Sequence, residues 1–171
     1  VQEGFTTYRF YVDMNDATDL MSAVYGDSSD TLIISTPNGV FNHPLGSSTL
    51  PNPALLAFYP ELVDDSFVAI GSTNPPSIIA DQNGNLENYF NTNGEVLLEF
   101  NDDVGGVWYV TSDDPNSLPD SDLRVFILQV STIGSISGVL NYQVLPLNNT
   151  FYNDPVRRTI TLSLIHISEP T

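Results

Sequence analysis

The sequence contains no cysteine and no lysine, and it has one tryptophan, two methionines and two histidines. Without cysteine, thiol nucleophiles, disulfide staples, iron–sulfur ligation and cysteine-based zinc sites are excluded. Two histidines, His43 and His166, leave zinc and non-haem iron chemistry short of ligands. All four cations are arginines, set against 21 Asp and Glu, and the formal net charge is -17. A surface that negative repels phosphate backbones and anionic headgroups, so nucleic acid is excluded as a partner class. No apolar run reaches the roughly 18 residues that a membrane-spanning helix requires, so no membrane insertion is expected. Nucleotide-binding glycine loops and the G-x-S-x-G nucleophile elbow are likewise missing.

What the chain does have is eight tyrosines, nine phenylalanines and a hydrophobic fraction of 41%, spread over 171 residues. That is enough apolar material for one folded domain and too much for an acidic disordered tail. The apolar residues fall in short alternating runs: "TTYRFYV", "LMSAVYG", "TLIIS", "DSFVAIGS", "EVLLEF", "GVWYV", "LRVFILQVS" and "SGVLNYQVL". Period-2 runs bounded by Gly, Pro, Asn and Asp read as strands, and no segment carries a helical stripe. The expected fold is all-β, an antiparallel β-sandwich of jelly-roll-like or Greek-key type with about eight to ten short strands and long Pro/Asn/Asp-rich loops. The first three strands read as a meander, with Pro37, Asn38 and Gly39 turning into a further short strand. The proline-rich stretch after His43 reads as an irregular connection with one helical turn at Pro53 to Phe58. "LRVFILQV" is apolar on both faces, as for a central strand or one covered by that connection.

Asp120 and Asp122 in "LPDSDLRV" form a D-x-D, which places two carboxylates on one side of an extended backbone where they could share a Ca²⁺ ion. The other reading of the same residues is turn capping or plain solvation. Trp108 and Tyr109 lead the aromatics that could stack on a sugar, although neighbours in a strand face opposite ways and one of the two then belongs to the core. His43, ahead of Pro44, reads as a loop residue. A glycosidase would need two carboxylates facing across a cleft, and 21 acids in no shared pattern do not single out a pair. "NNT" at Asn148 is an acceptor sequon if the host glycosylates.

The runs "GFTTYRFYVDMNDATDLMSAVYGDSSDTLIISTPNGVFNHPLG", "NPALLAFYPELVDDSFVAIG" and "WYVTSDDPNSLPDSDLRVFILQVSTIGSISGVLNYQVLP" span Gly4 to Pro146. They resemble an uncharacterised module that recurs in large secreted or cell-surface proteins of marine bacteria, Bacteroidetes-like and known from metagenomic sequence. "LPDSDLRVFILQV" is its most distinctive run. The resemblance implies an extracellular or cell-surface location beside adhesion-type regions and supplies no catalytic residues. The relatives carry longer Gly/Ala-rich insertions where this chain has the short "STNPPSIIADQNG".

The last ten residues, "LSLIHISEPT", are similar to the translation of a transposon-based sequencing adapter, residue for residue. The expectation is one module over residues 1–161, cut from a longer chain at both ends, followed by a non-native tail at 162–171. A genuine final strand is the competing reading, since "ITLSLIHI" alternates. The function expected is a non-catalytic structural or binding module of a multidomain extracellular protein, adhesive or glycan-contacting. Its partners would be other domains of the same polypeptide, a glycan or a cell-surface protein. The alternatives are a calcium-stiffened spacer and a glycan-active hydrolase.

Overall fold

The structure is a computed structural model that describes residues 3–79, 81, 83–91, 94–146 and 155–164. Among the described residues ten strands form two antiparallel sheets over one core. The smaller sheet is built by β1 (Thr6–Asp13), β8 (Arg124–Thr132) and the short β4 (Phe67–Val68), with β8 in the middle. In β1 the alternation is clean. Tyr8, Phe10 and Val12 turn to the core, which leaves Thr7, Arg9, Tyr11 and Asp13 on the outer face.

β8 keeps two alternations in one strand by means of a bulge. Phe10 pairs with Leu128 and Tyr11 with Phe126, so Ile127 is the extra residue. The phase shift lets Val125, Ile127, Leu128 and Val130 all enter the core while Phe126 and Gln129 stay on the outer face with Arg9 and Tyr11. The proline-rich connection covers that outer face in part. Its helical turn α1 (Pro53–Leu56) is capped by the Asn52 side chain on Ala54 N at 3.0 Å. A 3₁₀ turn at Pro60–Asp64 then brings two carbonyls over the sheet, and Gln129 donates its amide to Val63 O at 2.9 Å and Asp65 O at 2.6 Å.

The larger, seven-stranded sheet takes β2 (Leu20–Gly26), β3 (Leu32–Ser35), β5 (Ser77–Ile79), β6 (Leu97–Phe100), β7 (Gly106–Tyr109), β9 (Ile136–Leu145) and β10 (Val156–Leu164). β10 runs along β9 from Val144 to Ile136. The opposite edge of β9 is shared: β2 occupies it at residues 141–145 and β3 at 137–139. The same break recurs one row out, where β7 pairs with β2 and β6 with β3. Asn141 sits at the break, buried, and its amide donates to Asp30 O at 2.8 Å and Thr31 O at 3.0 Å, while its oxygen accepts from Thr159 at 2.8 Å.

The first three strands therefore do not form the meander that their succession suggested. β1 lies in the other sheet, and β2 and β3 are joined through β9, more than a hundred residues downstream. The turn at Pro37–Gly39 is present, with Gly39 N donating to Thr36 O at 2.8 Å, but no strand follows it. Instead Phe41 N binds Ser131 O at the end of β8. A second short helix, α2 (Asn85–Tyr89), was not legible, because five residues are too few for a stripe. Asp81 holds its first turn, accepting from Asn85 N at 2.7 Å and Leu86 N at 3.0 Å, and α2 delivers Leu86 and Tyr89 to the core.

The adapter-like segment begins inside β10, where Leu162, Ser163 and Leu164 pair with Gly138, Ser137 and Ile136. Its other seven residues, and Asn148, lie outside the described residues.

Candidate functional site

The outer face of the smaller sheet carries a groove of about 440 Å³, within the usual range for small-ligand sites. Its floor is aromatic. Tyr11 and Phe126 lie with ring centroids 5.4 Å apart, and Phe67 meets the other side of Phe126 edge-on at 5.9 Å. Such tilted and edge contacts are favourable ring geometries. One wall is the segment Gly71 to Thr73 after β4, and another is Pro115 to Asp120. Asn116 ties the two walls together, accepting from Thr73 N at 3.0 Å.

Two arginines line the groove. Arg124 lies over the Tyr11 ring, 4.5 Å from its centroid, a cation–π contact. Arg9 donates from Nε to Gln129 Oε1 at 2.7 Å. Since the Gln129 amide nitrogen is fixed by two backbone carbonyls, its oxygen is turned towards Arg9. The Gln129 side chain is thus satisfied on both sides although it is buried.

Asp120 lines the groove, and it and Asp122 converge on Arg124. Arg124 Nε meets Asp120 Oδ2 at 3.3 Å and Arg124 Nη2 meets Asp122 Oδ2 at 3.1 Å. Asp120 also accepts the backbone amides of Asp122 at 2.9 Å and Arg124 at 3.2 Å. Desolvation raises the Asp120 carboxyl, but the amides and the guanidinium outweigh it and hold it below its ordinary value. Leu123, between the pair and Arg124, sits at φ 57°, a left-handed conformation that a branched side chain seldom adopts.

The same capping role recurs around the molecule. Asp16 accepts Thr18 N, Asp27 accepts Ser29 N and Asp30 N, Asp102 accepts Val104 N and Gly105 N, and Asp114 accepts Asn116 N. These carboxylates fold their own loops. Among the described residues no group of three or more His, Asp and Glu is arranged to hold a metal ion.

Trp108 is fully buried, and its indole donates to Ala69 O at 3.1 Å across the core. A ring with no exposed face cannot stack on a sugar, so Trp108 is a core residue. Tyr109 is half-buried, pairs with Ala23 and Ser77 in the larger sheet, and is not part of the groove. The groove's own aromatics were passed over in the sequence. The signal was there in β1, where Tyr11 alternates outward with Arg9 against the inward Tyr8 and Phe10.

His43 is a loop residue with both ring nitrogens engaged. Nδ1 accepts Leu45 N at 3.1 Å, so the proton sits on Nε2, which faces Glu61 Oε1 at 3.4 Å. The His43 backbone amide donates to buried Asp65 at 2.7 Å. Among the described residues no hydrogen bond joins the imidazole to a serine, as a hydrolase triad would require.

No family model, curated protein or solved structure matches the chain.

Proposed function

We propose that the chain is a non-catalytic binding module of a multidomain extracellular or cell-surface protein, and that the groove over β1, β8 and β4 contacts a glycan. The observation that carries this is the half-buried pair Tyr11 and Phe126, laid side by side on the floor of an open face rather than folded into the core. A pyranose has an apolar face for such rings and hydroxyls for the polar walls, where Ser72 and Thr73 are exposed. Hydrolysis is disfavoured on the same geometry. A glycosidase needs two carboxylates across the cleft, whereas among the described residues Asp120 is the one acid lining this groove and it is bound to Arg124.

An oligosaccharide array, followed by titration calorimetry of the hits, tests the proposal. Tyr11→Ala is expected to weaken binding about tenfold, or about 1.4 kcal/mol, while the variant still melts in one cooperative transition. Glycans whose affinity is indifferent to Tyr11→Ala would remove the groove from consideration.

The calcium-stiffened spacer is the second reading. It draws on the carboxylate-rich loops, but at Asp16, Asp27, Asp102, Asp114 and Asp120 carboxylate oxygens already hold backbone amides. Melting in EDTA and then in millimolar Ca²⁺ separates the two, because an ion that binds only the folded state raises the midpoint. No rise is expected.

A further inference from the structure

We infer that the ligand of this groove is an anionic saccharide and that the Arg9 guanidinium receives its carboxylate or sulfate group. The inference deepens the glycan-binding reading and rests on it.

The first support is charge. The chain has four arginines against 21 acids, yet two of the four, Arg9 and Arg124, line this one groove, against the single carboxylate of Asp120. Counting Asp122, which pairs with Arg124, two arginines meet two carboxylates here, so this patch is near neutral in a molecule whose overall field repels anions. A neutral ligand gains little from it. An anionic one meets less repulsion here than over the rest of the acidic surface.

The second support is how the two arginines are engaged. Arg124 is spoken for by Asp120 and Asp122. Arg9 is not: its contact is the neutral Gln129 oxygen at Nε, and no ion pair joins it to a carboxylate among the described residues. Arg9 is exposed, and the fixed Gln129 oxygen orients its guanidinium from one edge. The two terminal nitrogens then offer donors in a planar fork, which matches the oxygens of a carboxylate or a sulfate. The ring faces of Tyr11 and Phe126 lie in the same groove, so one sugar unit can rest on them while its acidic group reaches Arg9.

Titration calorimetry with four probes tests this: tetragalacturonate, its methyl ester, a sulfated galactan tetramer and hexaglutamate. Each is run on the wild type, Arg9→Gln and the control Arg158→Gln, which makes the same charge change on β10. At least one acidic saccharide is expected to bind ten times more tightly than the uncharged ester. Arg9→Gln should erase that difference and Arg158→Gln should keep it, with the melting midpoints of both variants close to the wild type. Galacturonate and sulfated galactan separate the carboxylate from the sulfate. If acid and ester bind equally and Tyr11→Ala weakens both, the anion assignment falls while the glycan groove survives. Should no saccharide of either kind bind, both fall. Hexaglutamate binding as tightly as the best saccharide overturns the ligand class. Self-association at low salt that Arg9→Gln abolishes would instead identify the acidic surface of a second copy as the occupant.

Discussion

Single side chains in this molecule do work that a tally of hydrophobic burial would miss. Asp65 is the clearest case. It is 1% exposed, its Oδ2 has no hydrogen-bond partner, and a side chain on Gly46 would strike that oxygen. Burial pushes its pKa up to about 6, against the lowering by the His43 amide. The folded state therefore binds this proton more tightly than the unfolded chain, whose value is near 3.8. The stability it lends is complete below the unfolded value and is lost as pH rises through about 6. Asp65→Asn removes that titration. Relative to the wild type it should gain about 2 kcal/mol in unfolding free energy between pH 4 and pH 7, read from denaturant melts across the range. Parallel curves would show that Asp65 does not titrate there. Gln129 gives a second test. Gln129→Met leaves the carbonyls of Val63 and Asp65 buried without their donor, and a loss of about 2–3 kcal/mol is expected by the same melts. Arg9 would lose its orienting partner in that variant, so binding should weaken as well.

At the scale of elements, the strands were legible and their pairing was not. Alternation is local, so "LMSAVYG" can be read as Leu20–Gly26 without knowing its neighbours. Which strand lies beside it depends on residues eighty or more positions away, Gly106 to Tyr109 on one edge and Asn141 to Leu145 on the other. The Asp120 and Asp122 pair stood out for the same local reason, and its true partner, Arg124, was two residues further along the same run. The groove was hidden because it is assembled from three strands, with Tyr11 and Phe126 separated by most of the chain. Glycine placement within β9 is tested directly. A Cβ on Gly138 would lie 1.9 Å from Ile33 O in the paired strand, and backbone cannot swing away as a side chain can. Gly138→Ala should cost about 2–4 kcal/mol and broaden the amide signals of both strands. A variant with wild-type stability would mean β3 and β9 are further apart than the register implies.

For the whole molecule, the adapter reading of the last ten residues makes its own prediction. A chain ended at Thr161 keeps six of the nine β10 pairs and loses the burial of Leu162, worth about 2 kcal/mol at most. It should melt in one transition with a loss no greater than that. Failure of the shortened chain to fold would make those residues a genuine closing strand. The acidic surface also takes on a definite meaning at this scale, since the carboxylates named above cap loops between strands instead of gathering into one cluster. The shared edge of β9 has a consequence in time. While the chain is being made, β2 and β7 can meet early, but β1 has no partner until β8 exists, and β2 and β3 are not aligned until β9 arrives behind it. Pairings that span most of a chain form slowly, because the intervening loop must close before any contact rewards it. For that interval Tyr8, Phe10 and Val12 of β1 stand uncovered, and exposed apolar surface of that kind is prone to non-native association.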